Sequence, residues 1–214
     1  MTGELTRRGF LGTTAGFLLS GSHAMADGPA HRSIVNAAAI SPDGGLLATG
    51  GWDTRIILWN ASTREAVKVL SGHKGSVSRL VWDGPGRLFS ASWDTSVRSW
   101  SVSDGSVSRV YQGHGENVSA LALSGGRLLT GGWDREIVLW QAGDGNEISR
   151  LTGHSEQVLD VAFLPDGRAV SASYDLSVRV WSLDDGRELI RLEGHERSVN
   201  SLAVLPGGEV VATG

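Results

Sequence analysis

The sequence predicts an all-β fold, a β-propeller, from two observations: a motif that returns about every 40 residues and a pattern of four short strands within each period. In the motif, a turn aspartate is followed six residues later by a tryptophan. The pairs are Asp53 and Trp59, Asp94 and Trp100, Asp134 and Trp140, and Asp175 and Trp181. Successive copies stand 41, 40 and 41 residues apart, a period typical of one small supersecondary unit duplicated along a chain.

The repeat from residue 73 to 113 shows the four strands most clearly. Strand-like segments at 76 to 82, 87 to 92, 97 to 100 and 107 to 111 are separated by turn residues such as Asp104 and Gly105. Third strands carry apolar residues on both faces, as in Ile56 and Ile57. A sheet that buries both faces needs a neighbour on each side, and small four-stranded sheets stacked in this way are the blades of a propeller.

These repeats resemble the WD40 repeat family. Four of them begin with Gly-His, and three of these four reach the turn aspartate 20 or 21 residues after the histidine; the first repeat begins at His31 without the glycine. The resemblance implies a hydrogen-bonded network in each blade, which joins this histidine, a hydroxyl four positions before the turn aspartate, the aspartate itself and the strand tryptophan. The implied networks are His31, Thr49, Asp53 and Trp59; His73, Ser90, Asp94 and Trp100; His114, Thr130, Asp134 and Trp140; and His154, Ser171, Asp175 and Trp181.

Two other interpretations of these networks are a hydrolytic triad and a metal site. Four near-identical copies, each in its own blade, favour structural fasteners over four active sites. One histidine and one carboxylate per blade are too few ligands for a metal. We therefore expect no catalytic residue, no metal and no cofactor in the repeats.

A second set of aromatic residues stands directly before the turn aspartates. In the family this position tends to face the top surface, which receives peptides or protein domains, so the resemblance implies a partner-binding arc suited to apolar, proline-containing or sugar groups. The alternative is that each ring only stiffens an adjoining loop. Polar residues beside the first-strand valine, including Ser78 and Ser119, are candidate companions. The expected partner-binding residues are Trp52, Trp93, Trp133 and Tyr174.

The repeat count predicts an incomplete ring. Four complete four-stranded blades fit into residues 31 to 192, and a fifth begins with strands at 199 to 205 and 209 to 213. Most members of the family close seven blades, which implies about 100 further residues at this period. We expect the sequence to be the N-terminal portion of a longer protein, and open ends would favour self-association.

The first 26 residues predict an export signal. The order of segments is that of a signal peptide: an arginine pair, then a mildly apolar run from residue 13 to 20, then a small-residue triplet. The pair resembles a twin-arginine signal, although Gly12 stands where lysine is common. We expect the signal to be cleaved, which leaves a linker at 27 to 30 and the propeller at 31 to 214. The expected location is a bacterial periplasm, with membrane contact only during export. The alternatives for the first 26 residues are a disordered tail and a retained membrane anchor. The signal residues are Arg7, Arg8, Phe10 and Leu11, and the cleavage site is Ala26 and Asp27.

Composition excludes several classes of function. The formal net charge is -4, and without the first 26 residues, which carry two arginines and one glutamate, it is -5. No basic run is present, so nucleic acid is a disfavoured partner. The chain has no cysteine, which rules out disulfides, thiolate metal sites and covalent haem within it.

The sequence therefore favours a non-catalytic scaffold that binds a protein or peptide on its top face. One alternative is the propeller portion of a longer exported enzyme or electron-transfer protein, with its catalytic or cofactor domain after residue 214. The other is an enzyme that uses the propeller channel, for which the sequence shows no repeated charged groups at channel positions.

Overall fold

Short strands joined by tight turns account for all the regular structure that the computed structural model describes, which covers residues 30 to 214. Within that range there are eighteen strands and no helix, so no helix there is available to cross a membrane. The expected signal, its cleavage site and most of the linker lie outside the described residues.

Each complete blade is an antiparallel sheet of four strands in chain order. Blade 1 consists of β1 (Val35–Ile40), β2 (Leu46–Gly51), β3 (Ile56–Asn60) and β4 (Ala66–Leu70). Blade 2 consists of β5 (Val77–Asp83), β6 (Arg87–Ser92), β7 (Ser96–Ser101) and β8 (Val107–Gln112). Blade 3 consists of β9 (Val118–Ser124), β10 (Arg127–Gly132), β11 (Ile137–Gln141) and β12 (Glu147–Leu151). Blade 4 consists of β13 (Val158–Phe163), β14 (Ala169–Ser173), β15 (Val178–Trp181) and β16 (Glu188–Leu192).

A fifth sheet contains only β17 (Ser201–Val204) and β18 (Val210–Thr213). The predicted fold class is therefore confirmed: an all-β propeller arc with four complete blades and half of a fifth. The strand predictions for blade 2 hold to within one residue at each end, and β6 matches its predicted range of 87 to 92.

The hydrophobic core lies between blades rather than inside any one of them. Phe89 and Tyr111 of blade 2 pack with Leu128 and Trp140 of blade 3 in one buried cluster. Equivalent clusters join blades 1 and 2, blades 3 and 4, and blades 4 and 5. Apolar residues on both faces of the middle strands are thus buried by the two neighbouring blades, as their sequence pattern indicates.

Buried hydroxyl groups also connect neighbouring blades. Ser78 Oγ donates to the carbonyl oxygen of Val118 in the next blade, and Ser119 Oγ donates to that of Val158, each at 2.5 Å. Both serines are buried. Their interpretation as companions of a bound partner is therefore wrong: the hydroxyls satisfy backbone acceptors between blades, where an unpaired carbonyl would be costly.

Candidate partner-binding face

Two loops form the top rim of every complete blade, and a chain of hydrogen bonds fixes one to the other. In blade 2, His73 Nδ1 lies 2.8 Å from Asp94 Oδ2, and His73 Nε2 lies 2.7 Å from Ser90 Oγ. Trp100 Nε1 donates to the same hydroxyl at 2.8 Å. The same three contacts, at 2.7 to 2.9 Å, join His31, Thr49, Asp53 and Trp59; His114, Thr130, Asp134 and Trp140; and His154, Ser171, Asp175 and Trp181.

The chemistry of these groups assigns the proton positions in blade 2. An ionised carboxylate can only accept, so His73 Nδ1 carries the proton that is donated to Asp94. The indole N–H of Trp100 can only donate, so Ser90 Oγ accepts from it and donates its own proton to His73 Nε2. Every polar atom of the chain is then satisfied with a neutral imidazole.

The pKa values agree with this assignment. Burial lowers the pKa of His73 and of His154, although their aspartate partners oppose the shift. Burial alone would raise the pKa of Asp94, but hydrogen bonds from His73, from the Ser96 hydroxyl and from the Lys74 backbone together hold it well below its usual range. The network therefore contains an ionised aspartate and a neutral histidine near neutral pH.

A hydrolytic role does not fit these serines, even though the contacts resemble those of a triad. Ser90 and Ser171 are each 0% exposed, so no substrate carbonyl can approach the hydroxyl. Each hydroxyl also accepts a hydrogen bond from the indole N–H of a buried tryptophan. Among residues 30 to 214 there is also no group of three or more histidine, aspartate or glutamate side chains that could hold a metal ion.

The network positions the aromatic residue that precedes each turn aspartate. The backbone N–H of Lys74 donates to Asp94 at 2.9 Å, which ties the Gly-His loop to the turn. The backbone N–H of the preceding Trp93 donates at 2.9 Å to the carbonyl oxygen of Ser76, next to the first strand. Equivalent 2.9 Å bonds run from Trp52, Trp133 and Tyr174 to the carbonyl oxygens of Ile34, Asn117 and Gln157.

Three of the four aromatic rings form a continuous run across blades 1 to 3. The ring centroids of Trp52 and Trp93 are 5.8 Å apart, and those of Trp93 and Trp133 are 5.6 Å apart, both with interplanar angles of 49°. Trp52 is 48% exposed, and Trp93 and Trp133 are half-buried. Tyr174 is 56% exposed, and no ring contact joins it to Trp133 among the described residues. The three tryptophan rings thus pack on one another across blade boundaries, and each residue keeps part of its surface exposed.

The other predicted tryptophans lie in a different environment. Trp100, Trp140 and Trp181 are at most 3% exposed. Trp59 of blade 1 is only partly buried, although its indole makes the same hydrogen bond to Thr49 at 2.7 Å. In blades 2 to 4 the strand tryptophan is therefore buried, whereas the aromatic residue before the turn aspartate is half-buried or exposed in every complete blade.

Two charged residues on the innermost strands were not identified from the sequence. Arg79 of β5 reaches past its neighbouring blade and donates to the carbonyl oxygen of Leu159 in blade 4 at 3.3 Å. Asp160 of β13 accepts from the backbone N–H of Leu202 in blade 5 at 2.9 Å, and burial raises its pKa. Neither residue recurs at the equivalent positions of the other blades, which include Ala37 and Ala120, so a search for repeated residues could not find them.

Curated proteins that match this chain share single stretches of it. An Arabidopsis thaliana protein described as "U3 snoRNP-associated protein-like EMB2271" is 46% identical over 61 residues, which is 28% of this chain and 13% of that protein. The human "Protein Atg16l2" is 46% identical over 59 residues, 27% of this chain and 10% of that protein. The chain thus aligns with well under two thirds of the length of these relatives.

The family comparison extends along most of the chain. The model described as "WD domain, G-beta repeat" matches five times, at residues 24–60, 64–101, 105–141, 145–182 and 186–214. The fifth match contains the last strand of blade 4, β16, and the half blade formed by β17 and β18. With five matched repeats, the inter-blade core and a histidine-hydroxyl-aspartate-tryptophan network in each complete blade, the chain belongs to the WD40 repeat family.

Proposed function

We propose that this protein is a non-catalytic scaffold that binds a protein or peptide partner on its top face. The observation that carries the proposal is the run of Trp52, Trp93 and Trp133, which crosses three blades and keeps part of each residue exposed. Proteins of this repeat family generally bind protein partners, which supports the same conclusion.

The tryptophan run is suited to binding because it is already ordered before a partner arrives. Each backbone is anchored to the first strand, and each turn is fixed to the Gly-His loop through its aspartate. A rigid aromatic surface loses little conformational entropy on binding, and tryptophan is among the residues that most often dominate the energy of protein interfaces. Apolar side chains and proline rings are the groups such a surface would contact best.

The proposal is tested with ligands selected from a random peptide library on the full chain. The double variant Trp93→Ala, Trp133→Ala should weaken the binding of those ligands on the order of tenfold or more. A matched control is Val67→Ala, since Val67 is 54% exposed on the outer strand of blade 1. Unchanged affinity in a folded double variant would show that the tryptophan run is not the binding surface.

We also propose that residues 1 to 26 export the protein to a bacterial periplasm by the twin-arginine route. The support is the order of Arg7, Arg8, the apolar run and the Ala26 site in the sequence. Residues 1 to 30 fused to a reporter that reaches the periplasm only in folded form should export it, and Arg7→Lys with Arg8→Lys should abolish export. Export of the doubly substituted fusion at the original level would contradict a twin-arginine signal.

A further inference from the structure

The charge of the top face changes sign from one end of the tryptophan run to the other. The rim loops of blade 1 carry Arg32 and Arg55, and those of blade 2 carry Lys74. At the other end, Glu116 lies in blade 3 and Glu156 in blade 4. The network that fixes the loops is the same in every complete blade, so this difference is not required by the fold.

The charge balance of each blade includes every charged residue of its two rim loops. Residues 30 to 34 with 52 to 55 hold two arginines and one aspartate, a net charge of +1. Residues 72 to 76 with 93 to 96 hold one lysine and one aspartate, a net charge of 0. The corresponding loops of blade 3, in which Arg135 offsets one of three acidic residues, and of blade 4 each carry -2.

Arginines from the neighbouring strands add one positive charge beside the rim loops of each of blades 2, 3 and 4, which leaves blades 3 and 4 negative. Arg98 lies 3.9 Å from Asp94 in blade 2, Arg150 pairs with Glu136 in blade 3, and Arg179 lies 3.0 Å from Asp175 in blade 4. Blades 1 and 2 then remain neutral or positive, and blades 3 and 4 remain negative.

The four charges that set this order are available to a ligand. Arg32, Lys74, Glu116 and Glu156 are all exposed, and within residues 30 to 214 none of their side chains forms an ion pair. Arg32 and Lys74 occupy the same position, directly after the network histidine. Because the backbone N–H of each donates to the turn aspartate at 2.9 Å, their backbones are fixed beside the aromatic turn.

We propose that the top face binds an extended peptide segment whose charges are sorted about an apolar centre. The apolar or proline residue lies on Trp93, an acidic residue lies toward Arg32 and Lys74, and a basic residue lies toward Glu116 and Glu156. This inference rests on the proposed function and names the chemistry of its partner. A uniformly anionic ligand such as a nucleic acid does not fit, because half of the surface repels it.

The experiment uses peptides selected from a random library on the wild-type chain and measures their dissociation constants. Lys74→Glu and Glu116→Lys should each weaken the selected peptides by about threefold to tenfold at low salt, with less effect at high salt. Exchanging the acidic and basic residues within a peptide should weaken its binding to the wild-type chain more than its binding to the doubly substituted protein. Arg109→Glu is the matched control, since it makes the same charge change as Lys74→Glu on the exposed outer strand of blade 2.

The outcomes separate the two proposals. The charge-sorted partner would be overturned if peptides lose affinity for the Trp93→Ala, Trp133→Ala variant but carry charges of one sign. It would also be overturned if their affinity is unchanged by both charge reversals. In either case the scaffold proposal would stand. If the affinity of the peptides is unchanged by the tryptophan substitutions, or if the selection yields no peptide, both the scaffold proposal and this inference are overturned.

Discussion

Trp93 and Trp100 lie seven residues apart in the same blade, and they lie in different surroundings. Trp100 is 1% exposed, and its indole N–H is bonded to Ser90. Trp93 lies at the rim between the rings of Trp52 and Trp133 and is partly exposed. One side chain therefore lies in the core of the blade, and the other belongs to the surface that we propose for a partner.

Alanine substitutions at these two positions should separate stability from binding. Trp100→Ala should lower the free energy of unfolding by about 3 to 5 kcal/mol, because it leaves a large cavity. Trp93→Ala should cost roughly 0.5 to 1.5 kcal/mol, the contribution of aromatic contacts beyond burial, while weakening peptide binding. Urea unfolding and peptide titration measure the two effects, and equal stability losses would contradict the division.

The hydroxyl of Ser90 is a second residue with a specific prediction. Ser90→Ala leaves both Trp100 Nε1 and His73 Nε2 without a partner in a buried site, so it should cost about 1 to 3 kcal/mol. Ser108→Ala on the exposed outer strand of the same blade should change stability by no more than about 0.5 kcal/mol. Equal urea midpoints for the two variants would show that the network does not stabilise the blade.

At the scale of the element, the turn between the second and third strands recurs with a constrained backbone. The residue after the turn aspartate has a positive φ in all four complete blades: 66° at Thr54, 67° at Thr95, 70° at Arg135 and 68° at Leu176. A left-handed conformation disfavours β-branched and bulky side chains. The turn keeps it because its aspartate is fixed by the histidine and by backbone N–H groups.

Leu176 is the best position at which to relieve this strain. Its side chain is 40% exposed, so little packing is lost on substitution, and asparagine tolerates the left-handed region better than leucine. Leu176→Asn should raise the free energy of unfolding by about 0.5 to 1 kcal/mol. Leu189→Asn, at a position of 44% exposure in a strand, is the control and should not stabilise. A lower melting temperature for Leu176→Asn than for the wild type would contradict the account.

The strands were predictable from the sequence, and the turn conformation was not. Turn residues and two-sided apolar patterns mark each strand, which is why β6 could be predicted to the residue. The left-handed residue is threonine, arginine or leucine here, so no glycine or asparagine indicates it. The networks depended on the family resemblance, because the histidine and the tryptophan of each network lie 26 to 28 positions apart in sequence.

At the scale of the whole molecule, the arc depends on contacts between blades, and these were the least predictable features. Ser78 looks like a surface residue in the sequence but donates to Val118 of the next blade. Arg79 and Asp160 link blades through single contacts that do not recur. The tryptophan run likewise joins blades, and the sequence could place its residues in an arc but could not show that the rings touch.

The stability of the arc should fall on acidification in two stages. The pKa values of His73 and His154 are lowered in the folded state, so their contribution is present above the ordinary histidine value of about 6.5 and is lost as the pH falls below it. Those of Asp53, Asp94 and Asp175 are lowered as well, which predicts a second loss below about pH 4. Asp160 acts in the opposite sense because its pKa is raised, but it is one carboxyl against four network aspartates, since the pKa of Asp134 is lowered too.

Urea unfolding between pH 8 and pH 3 checks this dependence. The free energy of unfolding should be highest above about pH 6.5 and should decrease toward acid. In the variant His73→Gln, His154→Gln, the first stage should be reduced. A stability maximum near pH 5 in the wild-type chain would contradict the assignment of neutral histidines.

The central claim is that the partner binds on the top face, and photo-cross-linking tests it most directly. Benzoylphenylalanine replaces one exposed residue at a time: Trp52 or Tyr174 on the rim, and Val67 or Ile148 on the outer strands. The account predicts cross-links to a selected peptide from positions 52 and 174 and none from positions 67 and 148. Cross-links from the outer strands with none from the rim would contradict it.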